Sequence, residues 1–461
     1  TVYEKDGKTF IFSKGAVEVL VPLSDYSIDE TGSINPFGEK EKQAFVARAE
    51  VFERQAYRVL AVACGSEDAE RGLTMLGLIA IMDLPRAEVR DAVKKCHAAG
   101  IRVLMLTGDN PLTAEAVART IGLAVDMVLT GDDTRKMSDE ALQELLSAKN
   151  VLFARMRSEQ KLRIATLLQN AGEVVAMTGD GVNDAPALRK SDIGISMGIK
   201  GTEVAKEAAD MILLDDNFAS IVAAIEEGRT VYFNIKKFVT YILSSNVPEI
   251  VPYILFFFLR IPLPLSVIQI LTIDLGSDLV PGLALGTEAP EADIMRRPPV
   301  GREERILDRE VFKRGYAFLG AIEAAAAMCA FLGFLFLNGW VYGDLSITGT
   351  ALHRQAMTMT LLGAITCQLF NAWTLRSWEF PAFSRGLLKN RLLILAIALE
   401  LVWIYTLLNV GFVQFIFNTA HVPAPYLLLL VPFPLLLFAS HELYKHRIRR
   451  RRASAEAQGA A

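Results

Sequence analysis

Apolar and polar positions follow two different rhythms along this chain. From Thr1 to about Arg229, short apolar runs are separated by amphipathic stretches; beyond Lys237 the apolar runs lengthen until they dominate. In the first part, "TFIFSKGAVEVL" (Thr9–Leu20) predicts a strand leading into a helix, Ala44–Arg54 a helix, and "YRVLAVAC" (Tyr57–Cys64) a second strand. A third strand, "LGLIAIMD", runs to Asp83, where "DLPR" marks a boundary because Pro85 cannot extend a sheet interior. Strand–helix alternation follows: helix Ala87–Ala99, strand Val103–Leu106, helix Pro111–Ile121, then short strands at Met127–Leu129, Val151–Ala154 and Val174–Met177. Repeated strand–helix units imply a mostly parallel, doubly wound α/β sheet. Such sheets bind ligands at the carboxyl ends of their strands.

Beyond Lys237, six segments approach the ~20 residues needed to cross hydrocarbon: Val239–Leu259, Ser266–Leu285, Tyr316–Leu337, Met357–Leu375, Leu392–Phe417 and Tyr426–Leu443. The loops Arg296–Arg314 and Arg376–Arg391 and the tail "HRIRRRR" are rich in arginine and lysine, whereas Gly339–His353 and Asn418–Pro423 are not. By the positive-inside rule, the soluble part and the tail are expected on the cytoplasmic side of a multi-pass, plasma-membrane protein. The expected organisation is therefore 1–82, 83–225, a six-helix transmembrane bundle at 226–445, and a basic, disordered tail at 446–461.

Composition adds little to this division. The chain has 461 residues, 52% hydrophobic, with a mean hydropathy of +0.31. A formal net charge of −4 gives no reason to expect a nucleic-acid partner. The four cysteines lack any CxxC pair, so neither a disulfide framework nor a zinc site is expected. No signal peptide opens the chain, and a start at Thr1 within a strand suggests a piece of something longer.

Chemistry concentrates at two strand ends, "LTGDN" (Leu106–Asn110) and "MTGDGVND" (Met177–Asp184). Asp180, on a tight loop after an apolar run, suits magnesium, which prefers hard oxygens and keeps several waters. Gly179 and Gly181 let the backbone approach a phosphate closely. A surface turn with capping aspartates would account for Gly-Asp-Gly alone. Thr107 offers a hydroxyl at the second strand end, however, and Lys161 an ammonium that could neutralise phosphoryl charge.

The run "TGDGVNDAPALRKSDIGISMG", with "MLTGDN", "DLPR" and "KGA", resembles the type II cation-transporting P-type ATPases, whose phosphorylation domain belongs to the haloacid dehalogenase superfamily. The resemblance implies an α/β doubly wound phosphorylation domain at 83–225, preceded at 1–82 by part of an α+β nucleotide-binding domain and followed by an all-α six-helix membrane domain. It implies that Asp180 holds magnesium, with Asn183 and Asp184 supporting the phosphate site. Thr107 and Gly108 would bind the phosphoryl group and Lys161 would stabilise its charge. Lys14, Gly15, Arg58, Asp109 and Arg155 would serve ATP. The family's nucleophile, the aspartate of an Asp-Lys-Thr-Gly-Thr motif, is absent here and is expected upstream of Thr1, in a missing N-terminal half. This chain alone should therefore form no aspartyl-phosphate.

Ionisable groups in hydrocarbon are costly, ~2.5–3.5 kcal/mol on insertion scales, and so point to function. The first segment carries "SSNVPEIVPY" and the second "LTIDLGSDLVPG". Prolines free carbonyls of the preceding turn, and broken backbone at membrane depth is tolerated where it lines a cavity. Ser245 and Glu249 are i,i+4 neighbours, as are Asp274 and Asp278, so each pair is expected to share a helix face. With Asn246 and Ser277 they would form an oxygen cage for sodium, potassium or calcium. Interhelical hydrogen bonds between protonated acids are the structural alternative.

By resemblance, "SSNVPE", "IDLGSD" and Gln368 match sodium–potassium pumps, Asn371 matches calcium pumps, and Glu400 matches a glutamate linked to an additional sodium site. Glu323 has no family role. The leading reading is an ATP-driven pump for a Na+/K+-like monovalent cation, with a calcium pump as the alternative. An inert, truncated membrane protein that binds nucleotide or cations is the reading from another class. The sequence names no accessory subunit.

Overall fold

The computed structural model describes residues 2–5, 8–55, 57–65, 71–82, 85–386 and 388–459. The boundary expected at Asp83–Leu84 lies outside the described residues. The chain divides into two compact units, Thr1–Ala224 with Met295–Arg302, and Ile225–Ile294 with Glu303–Ala461.

The first unit holds eleven strands: β1 (Val2–Lys5), β2 (Lys8–Gly15), β3 (Ser24–Ile28), β4 (Ile34–Pro36), β5 (Tyr57–Gly65), β6 (Leu73–Met82), β7 (Met127–Thr130), β8 (Val151–Ala154), β9 (Ala176–Gly179), β10 (Ile193–Met197) and β11 (Met211–Leu213). The first six form one sheet in the order β1-β2-β5-β6-β3-β4, antiparallel except where β3 meets β6. Alternation along β5 turns Val59, Ala61 and Ala63 onto a core with Val17, Leu20 and Ala49. The opposite face leaves Phe12, Ile79 and Ile81 44%, 49% and 47% exposed.

The remaining strands are parallel, as expected, but in two pieces: β7–β8 and β11-β10-β9. The single doubly wound sheet of the sequence reading is not formed among the described residues. Val103–Leu106, expected as a strand, contributes only an isolated bridge from Leu106 to Phe153. Its hydrogen bonds are one-sided: Phe153 N–H donates to Met105 O and Thr107 N–H to Phe153 O, both at 2.9 Å. β9 likewise pairs only with β10. Leu104, Leu106 and Val175 nevertheless pack against one core of Leu142, Phe153 and Ile164. Two backbone edges thus stand over the same core, each lacking a second neighbour.

In the second unit, five helical stretches are long and apolar enough to cross a membrane: Phe218–Phe258, Val267–Gly286, Arg309–Leu337, Arg391–Asn409 and Ala424–Arg451. The sixth expected segment, Met357–Leu375, falls in the 24-residue helix Ala351–Thr374, which is long enough but not apolar enough. Burial explains its polarity. Thr358, Thr360, Gln368, Asn371 and Thr374 are all fully enclosed, so this helix contacts neighbouring helices where the others face outward. Small residues permit that packing. A Cβ on Gly363 would stand 2.9 Å from Ala327 Cα, so the Ala321–Leu337 and Ala351–Thr374 helices meet backbone to backbone.

Two other expectations change. Leu392–Phe417 is not continuous; Arg391–Asn409 and Gly411–Phe417 are separate helices broken at Val410, whose backbone is extended. The tail expected to be disordered instead continues the helix Pro432–Gly459. It is built of arginine, alanine and glutamate, strong helix formers, with no glycine or proline between Pro434 and Gly459.

Gly363→Leu should destabilise the helix pair by about 1–3 kcal/mol through overpacking. Thermal unfolding in detergent should show a lower midpoint, and an unchanged midpoint would contradict the close approach.

Candidate functional site

In the first unit, backbone pairing fixes the two phosphate-type loops. Arg155 N–H donates to Asp109 O (3.0 Å) and Met156 N–H to Thr107 O (2.9 Å), zipping Thr107–Asp109 onto the end of β8. Thr107 Oγ1 donates to Asp109 Oδ2 (3.0 Å) and accepts the Asp109 N–H (3.1 Å). Gly108 and Asp109 are exposed. Arg155 turns at φ 51°, uncommon for a side chain other than glycine. Its guanidinium meets Glu18. Arg155, expected to serve ATP, therefore has a carboxylate partner inside the protein.

The second loop is built around Asp184. Lys161 Nζ lies 2.7 Å from Asp184 Oδ1, and both side chains are largely buried. Asp184 Oδ2 faces the N–H groups of Asp180 (3.4 Å) and Gly181 (3.3 Å). Gly179 is required here, since a Cβ would fall 2.4 Å from Asp184 Cβ. With Asp184 committed to Lys161, Asp180 and Asn183 remain exposed at the end of β9. The Asp180 carboxylate has no hydrogen-bond or ion-pair partner among the described residues, which fits a hard cation held partly through water. No described hydrogen bond joins the Thr107 loop to the Lys161–Asp184 pair.

Lys14 and Arg58 lie on the open face of the six-stranded sheet. Lys14 stands opposite Val62, and Arg58, four residues along β5, opposite Ile81. They are thus ~13 Å apart on one face, flanking the shelf of Phe12, Ile79 and Ile81 that the sequence reading did not single out. Gly15 ends β2 beside them. A cavity of about 680 Å³ lies elsewhere in this unit: Glu18, Glu53, Asn110, Arg135, Arg155 and Arg157 are in its wall. Burial pushes the Glu53 carboxyl above its ordinary pKa.

In the second unit, Pro248 and Pro281 remove helix hydrogen bonds to the Ser244 and Ser277 carbonyls. Glu249, Ser245, Ser277 and Asp278 are buried. Tyr241 Oη is 3.5 Å from Asp278 Oδ1, and Ser245 also faces that carboxylate. Asn246 is half-buried at the junction of two helices. The expected common face of Asp274 and Asp278 is not found. Residues Ile273–Asp278 form a π-helical turn in which Asp274 is exposed while Asp278 is enclosed. Asp274 and Asp278 both remain within electrostatic reach of Glu249.

Several enclosed polar atoms have no hydrogen-bond partner: Glu249 Oε1, Ser277 Oγ, both amide atoms of Gln368, Asn371 Oδ1 and both oxygens of Glu400. Glu400 borders a cavity of about 270 Å³ with Gly276, Pro281 and Trp403. Among the described residues, no three His, Cys, Asp or Glu side chains converge closely enough to hold a metal ion. Glu249, Asp274 and Asp278 are neighbouring carboxylates within electrostatic reach of one another.

Buried charges elsewhere in this unit are paired. Arg376 Nε meets Glu288 Oε1 (2.7 Å), and Lys237 Nζ meets Glu291 Oε1 (3.1 Å), which also accepts from Trp378 N–H (2.8 Å). Arg314 stacks on Trp378, 3.9 Å from the ring centroid. Sequence periodicity could not reveal this network, because its members come from four separate segments.

Two family profiles match. "Cation transporting ATPase, C-terminus" covers residues 262–447, and "haloacid dehalogenase-like hydrolase" covers residues 11–192. The sodium/potassium-transporting ATPase subunit alpha-3 of Gallus gallus is 44% identical over 301 residues, 59% of this chain and 30% of that protein. The human alpha-3 subunit matches to the same extent. A calcium-transporting ATPase of Bacillus subtilis (strain 168) is 38% identical over 439 residues, 91% of this chain and 46% of that protein. The chain thus spans less than half the length of these relatives.

Asp184→Ala should strand the Lys161 ammonium and cost about 2 kcal/mol, the scale of a charged hydrogen bond. A melting midpoint equal to wild type would show that the pair does not organise the loop.

Proposed function

The chain belongs to the cation-transporting P-type ATPases, and we propose from that premise that it serves ATP-driven transport of a Na+/K+-like monovalent cation across a membrane. The observation that carries this reading is the set of enclosed, unpartnered carboxylate oxygens on Glu249 and Glu400 within an otherwise apolar, multi-pass unit. Asp278, Ser245, Ser277, Asn246, Gln368 and Asn371 complete the donor set, with Asp274 at its exposed margin.

The first unit supplies the chemistry of a phosphoryl site. Asp180 would hold magnesium, which neutralises phosphoryl oxygens when bound. The Lys161–Asp184 pair fixes an ammonium beside it, while Thr107 and Gly108 offer a hydroxyl and backbone N–H groups to the same phosphoryl group. Lys14, Gly15 and Arg58 would bind ATP, its ring resting on the shelf of Phe12 and Ile79. The two unpaired edges, Val103–Leu106 and β9, suit one further parallel strand between them. That strand would complete the doubly wound sheet and carry the nucleophilic aspartate between Thr107 and Asp180. The soluble unit and the arginine-rich loops would lie in the cytoplasm, the protein in the plasma membrane. Calcium transport is the second reading, favoured by the 91% coverage of this chain by the Bacillus subtilis relative.

ATP hydrolysis by the complete protein should rise with sodium or potassium. Stimulation by calcium alone would transfer the reading to calcium, and no stimulation by any of the three would remove it. Asp180→Asn should abolish magnesium-dependent phosphoenzyme while the protein remains folded; retained phosphoenzyme counts against its role. Asp278→Asn should abolish cation-stimulated turnover, and near-normal stimulation would refute the carboxylate set.

A further inference from the structure

The Asp180 carboxylate has no partner of its own among the described residues, so the main chain that carries it sets its direction. That main chain is held from two sides. On one, Asp184 Oδ2 faces the Asp180 N–H (3.4 Å). On the other, the Asp180 carbonyl accepts a hydrogen bond from Thr202 N–H at 2.9 Å. Thr202 caps the helix Glu203–Ala208, its hydroxyl accepting the Ala205 N–H at 3.3 Å. Its amide is therefore placed by that helix and by the loop before it.

The loop, Gly198–Gly201, joins the end of β10 to Thr202 and turns too tightly for a side chain at either glycine. A Cβ on Gly198 would stand 2.6 Å from Leu213 O, and one on Gly201 would stand 1.9 Å from Met197 O. Gly198 N–H donates to Leu213 O at 2.8 Å, which ties the start of the loop to β11. Between the glycines, two successive amides bond one side chain. Asp216 Oδ1 accepts from Ile199 N–H (2.9 Å) and Oδ2 from Lys200 N–H (2.8 Å). Hydrogen bonds to an ionised acceptor are roughly twice as strong as neutral ones. Asp216 makes both from a backbone turned to φ 49°, uncommon outside glycine. Contacts thus run from the Asp216 carboxylate through the loop amides and Thr202 N–H to the Asp180 carbonyl.

We infer that Asp216 is a positioning residue for the magnesium site: it clamps the Gly198–Gly201 loop, which holds Thr202 against the Asp180 carbonyl and so aims the Asp180 carboxylate. Asp216 acts through the loop, since each of its oxygens already holds an amide. The inference rests on the reading of Asp180 as the magnesium ligand.

The test is binding of Mn2+, which suits the same oxygen ligands as magnesium, to the complete protein without ATP. Binding is counted from the electron paramagnetic resonance signal of the free ion, and amide hydrogen exchange is read over residues 198–202. Asp216→Gly accepts the φ of 49° without steric cost and removes both acceptors. It should weaken the Asp180-dependent ion about tenfold, equivalent to about 1.4 kcal/mol, and speed exchange at Ile199, Lys200 and Thr202. Asp216→Asn, which keeps one acceptor oxygen, should fall between Asp216→Gly and wild type, and it replaces the glycine variant if that does not fold. In magnesium titrations of phosphoenzyme formation, the half-saturating concentration should rise while the rate at saturation stays near wild type. A variant that was merely unstable would lose rate at every concentration. Wild-type Mn2+ affinity in a folded variant overturns the inference, whether or not the loop exchanges faster, and so does a lost rate with unchanged half-saturating magnesium. Asp180→Asn scores the underlying reading separately. If Asp180→Asn keeps wild-type Mn2+ binding, the magnesium reading falls and this one with it; if it loses the ion while Asp216→Gly keeps it, only the role of Asp216 is lost.

Discussion

A charge enclosed in an apolar helix bundle must share its field with something, and that constraint organises the second unit. Desolvating an ion costs several kcal/mol, recovered only when an opposite charge and hydrogen bonds surround it. Around Glu288 and Glu291 the chain meets the requirement internally. Arg376, Arg385 and Lys237 lie within 4 Å, and Asn390, Ser377 and the Trp378 N–H fill remaining lone pairs. Around Glu249, Glu323 and Glu400 it does not. Two solutions in one bundle imply two purposes. The paired acids tie loop to helix, whereas Glu249, Glu323 and Glu400 keep oxygens without a donor.

The first unit shows the backbone form of the same problem. A strand edge exposes donors and acceptors that another strand can satisfy. Val103–Leu106 and β9 each have one paired side and pack over one core. The residues with phosphate chemistry, Thr107 and Asp180, follow directly after these two segments. Lys161 does not wait for a ligand: Asp184 already holds it. Its charge is therefore positioned in advance, which is what electrostatic stabilisation of a transferring group requires.

How much of this was legible in the sequence depended on whether the signal was local. The "TGDGVND" loop was legible because glycine, aspartate and the preceding apolar run are contiguous; Gly179, read as room for a phosphate, is required because a Cβ there would meet the Asp184 side chain. The long apolar helices were legible from length alone. What periodicity missed was non-local. The polarity of Ala351–Thr374 reads as ambiguity until its neighbours enclose it. Asp274 and Asp278 stand four apart on the π-turn Ile273–Asp278, yet the first is exposed and the second enclosed, a difference spacing alone does not show. Val103–Leu106 has a strand's composition but needs a partner on each side. Glu323 gains its donor only in the fold, from Asn371, 48 positions away.

The donor set bears on the ion as well. A divalent cation favours sites where two or more carboxylates converge on one point. Among the described residues no three acidic, histidine or cysteine side chains gather at one point, while Asp274 and Asp278 both stand within electrostatic reach of Glu249. Asp274 is turned outward, Glu400 sits by its own cavity, and Glu323 is joined to a neutral amide. Sodium/potassium-transporting and calcium-transporting ATPases are both similar to this chain, and the enclosed oxygens are common to either reading of the proposed function.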